Sequence, residues 1–239
     1  MKLVRSCSAF IISLVIIIVV SEPRAHSLSR KSYGVYYDFF YFVQQWPGAY
    51  CNSMWGCCFP KTGKPDEDFG IHGLWPNFNN GSHPQSCDSD NPFDKSKIVG
   101  LMRRMQVHWP TLRCPSGNGF KFWIHEWIKH GTCSANVLNQ RSYFLKALVF
   151  KNKSNLLQHL EDAGIYPDDG FYRANDVDAA IEKGLGVTPY LECNFDGKGN
   201  NQLFQVYLCV NKFATTFIQC PVMPYAQSCA SSVQFKSFL

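Results

Sequence analysis

Charge is scarce in this chain: Asp, Glu, Lys and Arg make up 17% of its residues, and the basic ones nowhere gather into a run. A basic arm that binds nucleic acid by charge alone is excluded, because such arms depend on blocks of like charge. Metal-finger spacing is missing as well. No Cys-x-x-Cys pair occurs, and Cys57 and Cys58 are adjacent. His125 and His130 stand five residues apart, about 500° around a helix, so they do not reproduce the His-Glu-x-x-His arrangement that shares a tetrahedral zinc ion. No serine or cysteine elbow accompanies the histidines, and no carboxylate cluster offers the oxygen ligands Mg²⁺ requires. No Pro/Ser/Gly-rich linker, internal repeat or low-complexity tract divides the chain. Its longest apolar run, Ala9 to Val20, falls well short of the ~20 residues of a membrane span.

That run does have a use at the N-terminus. Lys2 and Arg5 precede it, and Glu22-Pro23-Arg24-Ala25 follows it, the layout of a secretory leader covering roughly residues 1–25. Residues 26–239 are then expected to form a single domain, with no membrane span left after cleavage. Eleven cysteines are present; Cys7 leaves with the leader, and an even ten remain, which in a secreted chain argues for five disulfides. Loss of Lys2, Arg5, Glu22 and Arg24 lowers the formal charge from +5 to +3. A polyanionic partner and an evenly solvated surface fit that value equally well. Asn80-Gly81-Ser82 and Asn152-Lys153-Ser154 are N-glycosylation sequons, so Asn80 and Asn152 are expected at the surface.

Hydrophobic patterning predicts an α+β fold. Tyr37 to Gln45 is aromatic on both alternating faces, as a strand buried on two sides requires, and Trp46-Pro47-Gly48 stops it. Asp68 to Leu74 reads as a short apolar strand. Asp94 is placed to cap a helix that ends at Trp109-Pro110; Ser142, Ser154 and Asp176 are placed to cap three more, with Gly164 and Gly184 behind the last two. Thr188 to Cys193 and Gln202 to Val210 form a predicted hairpin around Asp196-Gly197-Lys198-Gly199, with Thr216 to Cys220 as a further strand. Strands at both ends with helices between them imply an antiparallel β-sheet packed with several α-helices.

The chemistry is concentrated in two segments. His125-Glu126-Trp127-Ile128-Lys129-His130-Gly131-Thr132-Cys133 carries two imidazoles, a carboxylate and an ammonium. On a helix, Glu126 and His130 are i and i+4, as are His125 and Lys129, so all four share one face. Gly131 is then expected to end the helix. Upstream, Phe69-Gly70-Ile71-His72-Gly73-Leu74-Trp75-Pro76 sets one imidazole between glycines, which permit close backbone approach. Taken alone, a histidine such as His72 is more often a hydrogen-bonded structural residue than a catalyst. Glu126 with Lys129 is an ordinary i, i+3 pair worth only ~0.2–0.5 kcal/mol. His83, His108 and His159 have no chemical context and are expected in surface or loop positions, while His26 falls in the N-terminal tail or is lost with the leader.

Together, in this order and closed by a cysteine, the two segments resemble the active-site segments of the ribonuclease T2 family. The likeness extends through Phe39-Phe40-Tyr41-Phe42-Val43-Gln44-Gln45-Trp46-Pro47 and Cys57-Cys58 to Thr188-Pro189 and the last four cysteines, and is greatest to the S-like ribonucleases of plants. It implies that family's α+β fold and metal-independent cleavage of single-stranded RNA through a 2′,3′-cyclic phosphate, with no cofactor. It implies His130 as general base, His72 as general acid, His125 as phosphate holder, and Glu126 and Lys129 as stabilisers of the pentacovalent state. For the base, it implies Gln45, Thr111, Arg113 and Phe122, with Trp75 and Asn77 nearby. The bridges it implies are Cys51–Cys57, Cys58–Cys114, Cys87–Cys133, Cys193–Cys229 and Cys209–Cys220. A monomer that is secreted to the extracellular space or cell wall, or held in the vacuole, would serve RNA salvage, phosphate scavenging or defence. Two alternatives stand beside it: a self-incompatibility cytotoxin of the same chemistry, and a catalytically silent binding or storage glycoprotein, against which the intact His72, His125 and His130 count.

Overall fold

The computed structural model of the protein describes residues 36–238, so the expected leader at residues 1–25 and His26 lie outside the described residues. Strand β1 (Phe39–Gln45) is buried along its whole length. Its alternating side chains serve two cores. Phe40 and Phe42 join the large cluster under the helices, while Phe39, Tyr41 and Val43 pack with Tyr207 and Cys209 on the opposite face. Pro47 does stop the strand, and it also opens a short helix, α1 (Pro47–Cys51), that the sequence reading does not include, in keeping with the preset φ of proline at a first helical turn.

The remaining elements follow as β2 (Gly70–Asn77), a 3₁₀ turn at Lys95–Leu101 running into α2 (Met102–His108), α3 (Phe120–Lys129), α4 (Gln140–Ser154), α5 (Leu156–Glu161), β3 (Phe171–Arg173), α6 (Ala174–Leu185), β4 (Tyr190–Phe195), β5 (Asn201–Asn211), β6 (Phe217–Ile218) and β7 (Ser232–Gln234). The sheet runs β2-β1-β5-β7-β3, and β4 and β6 also pair with β5. The sheet is antiparallel, as expected, except where β5 meets β7 in parallel through Gln202 and Gln234. β3 and β7 have three residues each and pair across about sixty intervening positions, too short and too distant for patterning to reveal.

Three helix starts also differ from expectation. Asn139, not Ser142, caps α4, its side-chain oxygen accepting from the Ser142 N–H. Asn155 in the left-handed region begins α5, while the Ser154 hydroxyl donates back to the Lys151 carbonyl. Arg173 precedes α6, Asp176 lies in its first turn, and Gly186 rather than Gly184 follows its end. Each segment holds several residues able to cap, and packing chooses among them. Asp94 does accept from the Ser96 N–H at the start of its 3₁₀ turn.

β2 is a sheet edge, and its outward carbonyls are capped by the helical layer: the Trp109 indole donates to the His72 oxygen at 3.0 Å and the Tyr143 hydroxyl to the Leu74 oxygen at 2.9 Å. Covering an edge in this way satisfies groups that would otherwise recruit another strand. Trp109, Trp123, Trp127 and Tyr143 are fully buried, each contributing on the order of 2–3 kcal/mol of apolar burial.

The five disulfides pair Cys51–Cys57, Cys58–Cys114, Cys87–Cys133, Cys193–Cys229 and Cys209–Cys220, the pattern the family resemblance implies. The third ties the loop after β2 to the turn after α3, where the Ser86 N–H also donates to the Lys129 carbonyl and the Cys87 N–H to the Thr132 hydroxyl. Replacing Cys87 and Cys133 together with alanine should lower stability by about 2–4 kcal/mol, the usual worth of a bridge closing a loop of this length. Thermal melts of the oxidised variant and parent check this; coincident melts would contradict it.

Candidate active site

His72 owes its direction to an irregularity in β2. Val43 pairs with Gly73 and the next residue, Gln44, pairs with Ile71, which leaves His72 as the extra residue of a β-bulge. In an unbroken strand His72 and Trp75, three apart, would point to opposite faces. The bulge reverses the alternation. Ile71 and Leu74 both enter the helix-side core, while the rings of His72 and Trp75 meet edge to face, centroids 4.9 Å apart, on the other side.

α3 brings the second segment to the same place. Trp123 and Trp127 bury one stripe of this helix and Glu126 lies beside them, nearly inaccessible, while His125 is exposed and Lys129 half-buried. His130 ends the helix and is itself buried. The α-helix does end just before Gly131, which opens a 3₁₀ turn at Gly131–Ser134, and a side chain there would collide with the Trp127 ring.

Trp75 joins the two segments. Its indole N–H donates to Glu126 Oε2 at 2.9 Å, and its ring stacks on His130 at 5.3 Å between centroids with 29° between planes. Gly73 makes room, since a Cβ at that position would overlap both the indole nitrogen and the Glu126 carboxylate. Three of the five candidate catalytic residues, His72, Glu126 and His130, therefore meet at one indole, and the charges of Lys129 and His125 reach both His72 and His130.

Burial sets the protonation states. It drives Glu126 up to about 8, opposed in part by the Trp75 hydrogen bond and the Lys129 charge, so this carboxyl is neutral at mildly acidic pH. His130 is pushed down to about 2, first by burial and then by Lys129, His125, His72 and His83. Its imidazole is thus neutral, and its Nδ1 is buried without a partner among the described residues. His125 is lowered by burial, Lys129 and Arg113. His72 is lowered by burial and by the charges of His125 and Lys129, with its bond to Gln205 acting the other way. In that bond Nδ1 faces the Gln205 side-chain oxygen.

The base-site candidates do not form one group. Phe122 lies 5.9 Å from the His72 ring. Gln45 is buried at the end of β1, opposite Gly70, and lines a cleft with Pro110 and Leu112, next to Thr111. Arg113 is exposed and its charge reaches His125. Asn77 is at the other end of the strand pair, opposite Phe39, about 20 Å along the sheet from Gln45. Its side chain is buried and donates to the Trp75 carbonyl. Asn77, expected near the base site, is thus separated from Gln45 by the length of the strand pair, too far for one base to touch both. Gln205, Glu192 and Tyr207 border the site and were absent from the sequence reading; a polar residue interrupting the apolar strand Leu203 to Val210 was the available signal. Among the described residues, no three His, Cys, Asp or Glu side chains converge to hold a metal ion.

Comparison with known proteins agrees with this geometry. Residues 37–220 match the Ribonuclease T2 family. Intracellular ribonuclease LX of Solanum lycopersicum is 56% identical over 203 residues, spanning 84% of this chain and 85% of that protein. Extracellular ribonuclease LE of the same plant is 48% identical over 234 residues, 98% of this chain and 99% of that one. The crystal structure of RNase NT in complex with 5′-AMP superposes with a TM-score of 0.83 at 54% identity, over 85% of this chain and all of that one. The chain belongs to the ribonuclease T2 family and is an endoribonuclease of the T2 type.

Since Gly73 seats both the indole and the carboxylate, Gly73→Ala should cost about 1–3 kcal/mol through overpacking and depress RNA cleavage beyond what the fold loses. Melting curves and turnover of the purified variant test it; unchanged activity would contradict the role given to this contact.

Proposed function

We propose that the protein cleaves single-stranded RNA by metal-independent acid-base transphosphorylation. The observation that carries this reading is the convergence of His72, His130 and Glu126 on Trp75. Neutral His130 takes the proton from the ribose 2′-hydroxyl, and the 2′ oxygen attacks phosphorus. The bond to the 5′ oxygen breaks, and His72 protonates that oxygen, leaving a 2′,3′-cyclic phosphate. In hydrolysis the roles reverse: His72 accepts a proton from water and His130 returns one to the 2′ oxygen.

Charge develops on the equatorial oxygens of the phosphorane, and the surrounding groups suit it. Trp75 donates to Glu126 Oε2, so the proton of the neutral carboxyl resides on Oε1, where it is free to be donated. The Lys129 ammonium supplies positive charge and His125 a donor to the phosphate. Lys129→Ala should lower kcat more than it raises KM, because its cation is needed when charge builds up. Phe122 and Gln45 are placed to receive a splayed base on the His72 side. The leader-like N-terminus, the five bridges and the exposed sequons Asn80 and Asn152 support a glycosylated, secreted or vacuolar protein serving RNA salvage, phosphate scavenging or defence. Activity should survive excess EDTA; a loss restored by zinc or magnesium would contradict the mechanism.

The pH dependence follows in sign from the two imidazoles. The base must be neutral, and His130 is lowered to about 2, so activity persists far into acid. The acid must be protonated, and His72 lies below its usual 6.5 in the free protein, so activity falls as pH rises through that lowered value. A bound phosphate raises it again. The kcat/KM profile should therefore have its maximum on the acidic side, and His72→Ala and His130→Ala should each reduce kcat by about 10²–10⁴ with the fold retained. A maximum above pH 8, or a folded His130→Ala variant within threefold of the parent, would overturn these assignments.

A further inference from the structure

One carboxylate bordering the site has no task in the mechanism above. Glu192 is half-buried on β4 and has no ion-pair partner among the described residues. Two donors converge on its Oε2: Gln205 Nε2 and the Tyr207 hydroxyl, each at 2.7 Å. The other end of the Gln205 amide, Oε1, faces His72 Nδ1. Sheet register assembles this chain of contacts. Glu192 pairs with Gln205 across β4 and β5, and Gln205 and Tyr207, two apart, share the face on which His72 emerges from the bulge. Gln205 and His72 belong to strands on either side of β1, about 10 Å apart, so only two long side chains meet across the gap.

A primary amide presents an acceptor at one end and a donor at the other, and a half-turn exchanges them. An ionised carboxylate only accepts. Facing Glu192, Gln205 must therefore turn its NH₂ toward the carboxylate and its oxygen toward His72, and that oxygen accepts only from a protonated Nδ1. The neutral imidazole is thereby held as the Nδ1–H tautomer, and Nε2 is the nitrogen left to exchange protons. The Tyr207 donation holds the carboxylate in place. His130 has no such arrangement, since its Nδ1 lacks a hydrogen-bond partner among the described residues and its ring stacks on Trp75.

We propose that Glu192, Gln205 and Tyr207 are positioning residues that fix the tautomer of His72 and aim its Nε2 at the departing 5′ oxygen. The inference rests on the proposed role of His72 as acid, and its test has a readout that does not depend on activity. In ¹⁵N-labelled protein, two-bond ¹H–¹⁵N correlation reads the tautomer of His72 directly. Glu192→Gln keeps the shape but lets either end of the Gln205 amide face it. We expect the His72 nitrogens to move to mixed-tautomer values and kcat on a dinucleoside monophosphate to fall about tenfold to hundredfold, by analogy with partners that orient metal-bound histidines, with KM changed far less. Gln205→Leu should lose as much, and the double variant no more than either single one, because all three residues act through one link.

Tyr207→Phe keeps the ring against Tyr41, Trp75 and Tyr190 and should give a smaller shift and loss, so it carries the test if Glu192→Gln does not fold. Unmoved His72 nitrogens in a folded Glu192→Gln or Tyr207→Phe variant would overturn the inference, as would a tautomer change that Gln205→Leu does not share. Moved nitrogens with unchanged kcat would uphold the positioning network and overturn, instead, the assignment of His72 as the acid.

Discussion

The hydrogen bond from the Trp75 indole to Glu126 holds this site together. It joins the edge strand to α3 at a buried carboxyl. Trp75 reaches the site face because the bulge at His72 reverses the strand alternation. The indole fits because Gly73 has no side chain. The bulged carbonyl is tied down by Trp109, whose own carbonyl accepts from Trp123 on the catalytic helix. Strand and helix are thus linked twice, once through the site and once through the core behind it, which holds several side chains in the narrow tolerance that catalysis needs.

Two imidazoles of the same intrinsic basicity are given different surroundings. His130 is buried at a helix end under an indole, near four other positive or potentially positive groups, and all of these favour its neutral form. His72 is lowered too, yet it keeps a hydrogen bond that favours the charged form. In the proposed mechanism His130 is a base that stays neutral and His72 an acid that retains some hold on its proton, the division of labour that RNA transphosphorylation requires. Glu126 adds a third state: burial keeps this carboxyl protonated, and a neutral acid beside a phosphate can donate where a carboxylate would repel.

The disulfides and the site are connected through the C-terminal end of α3. Cys133 follows the catalytic helix by four residues, and its bridge to Cys87 draws a loop across the helix terminus, where a backbone N–H satisfies the carbonyl of Lys129. Terminal carbonyls of a helix have no partner within it, so the loop completes the helix as well as anchoring it.

Much of this was legible in the sequence. The β1 aromatics, the β4–β5 hairpin and the helical stripe of α3 follow from periodicities of two and 3.6 residues, which depend only on backbone geometry. The two histidine segments pointed to acid-base chemistry by composition and order, and the even ten cysteines beyond the leader-like run pointed to bridges. Other features belong to the tertiary structure alone. The bulge that turns His72 and Trp75 to one face arises from pairing with Val43 and Gln44, residues about thirty positions away. The choice of Asn139 over Ser142 as a cap was settled by packing. The meeting of Gln205 with His72 and Glu192 depends on the register of four strands, and the separation of Asn77 from Gln45 on the length of one. Local patterning records which face a residue takes, but not which distant residue it meets there, because that is decided by long-range pairing and by the volume the core must fill.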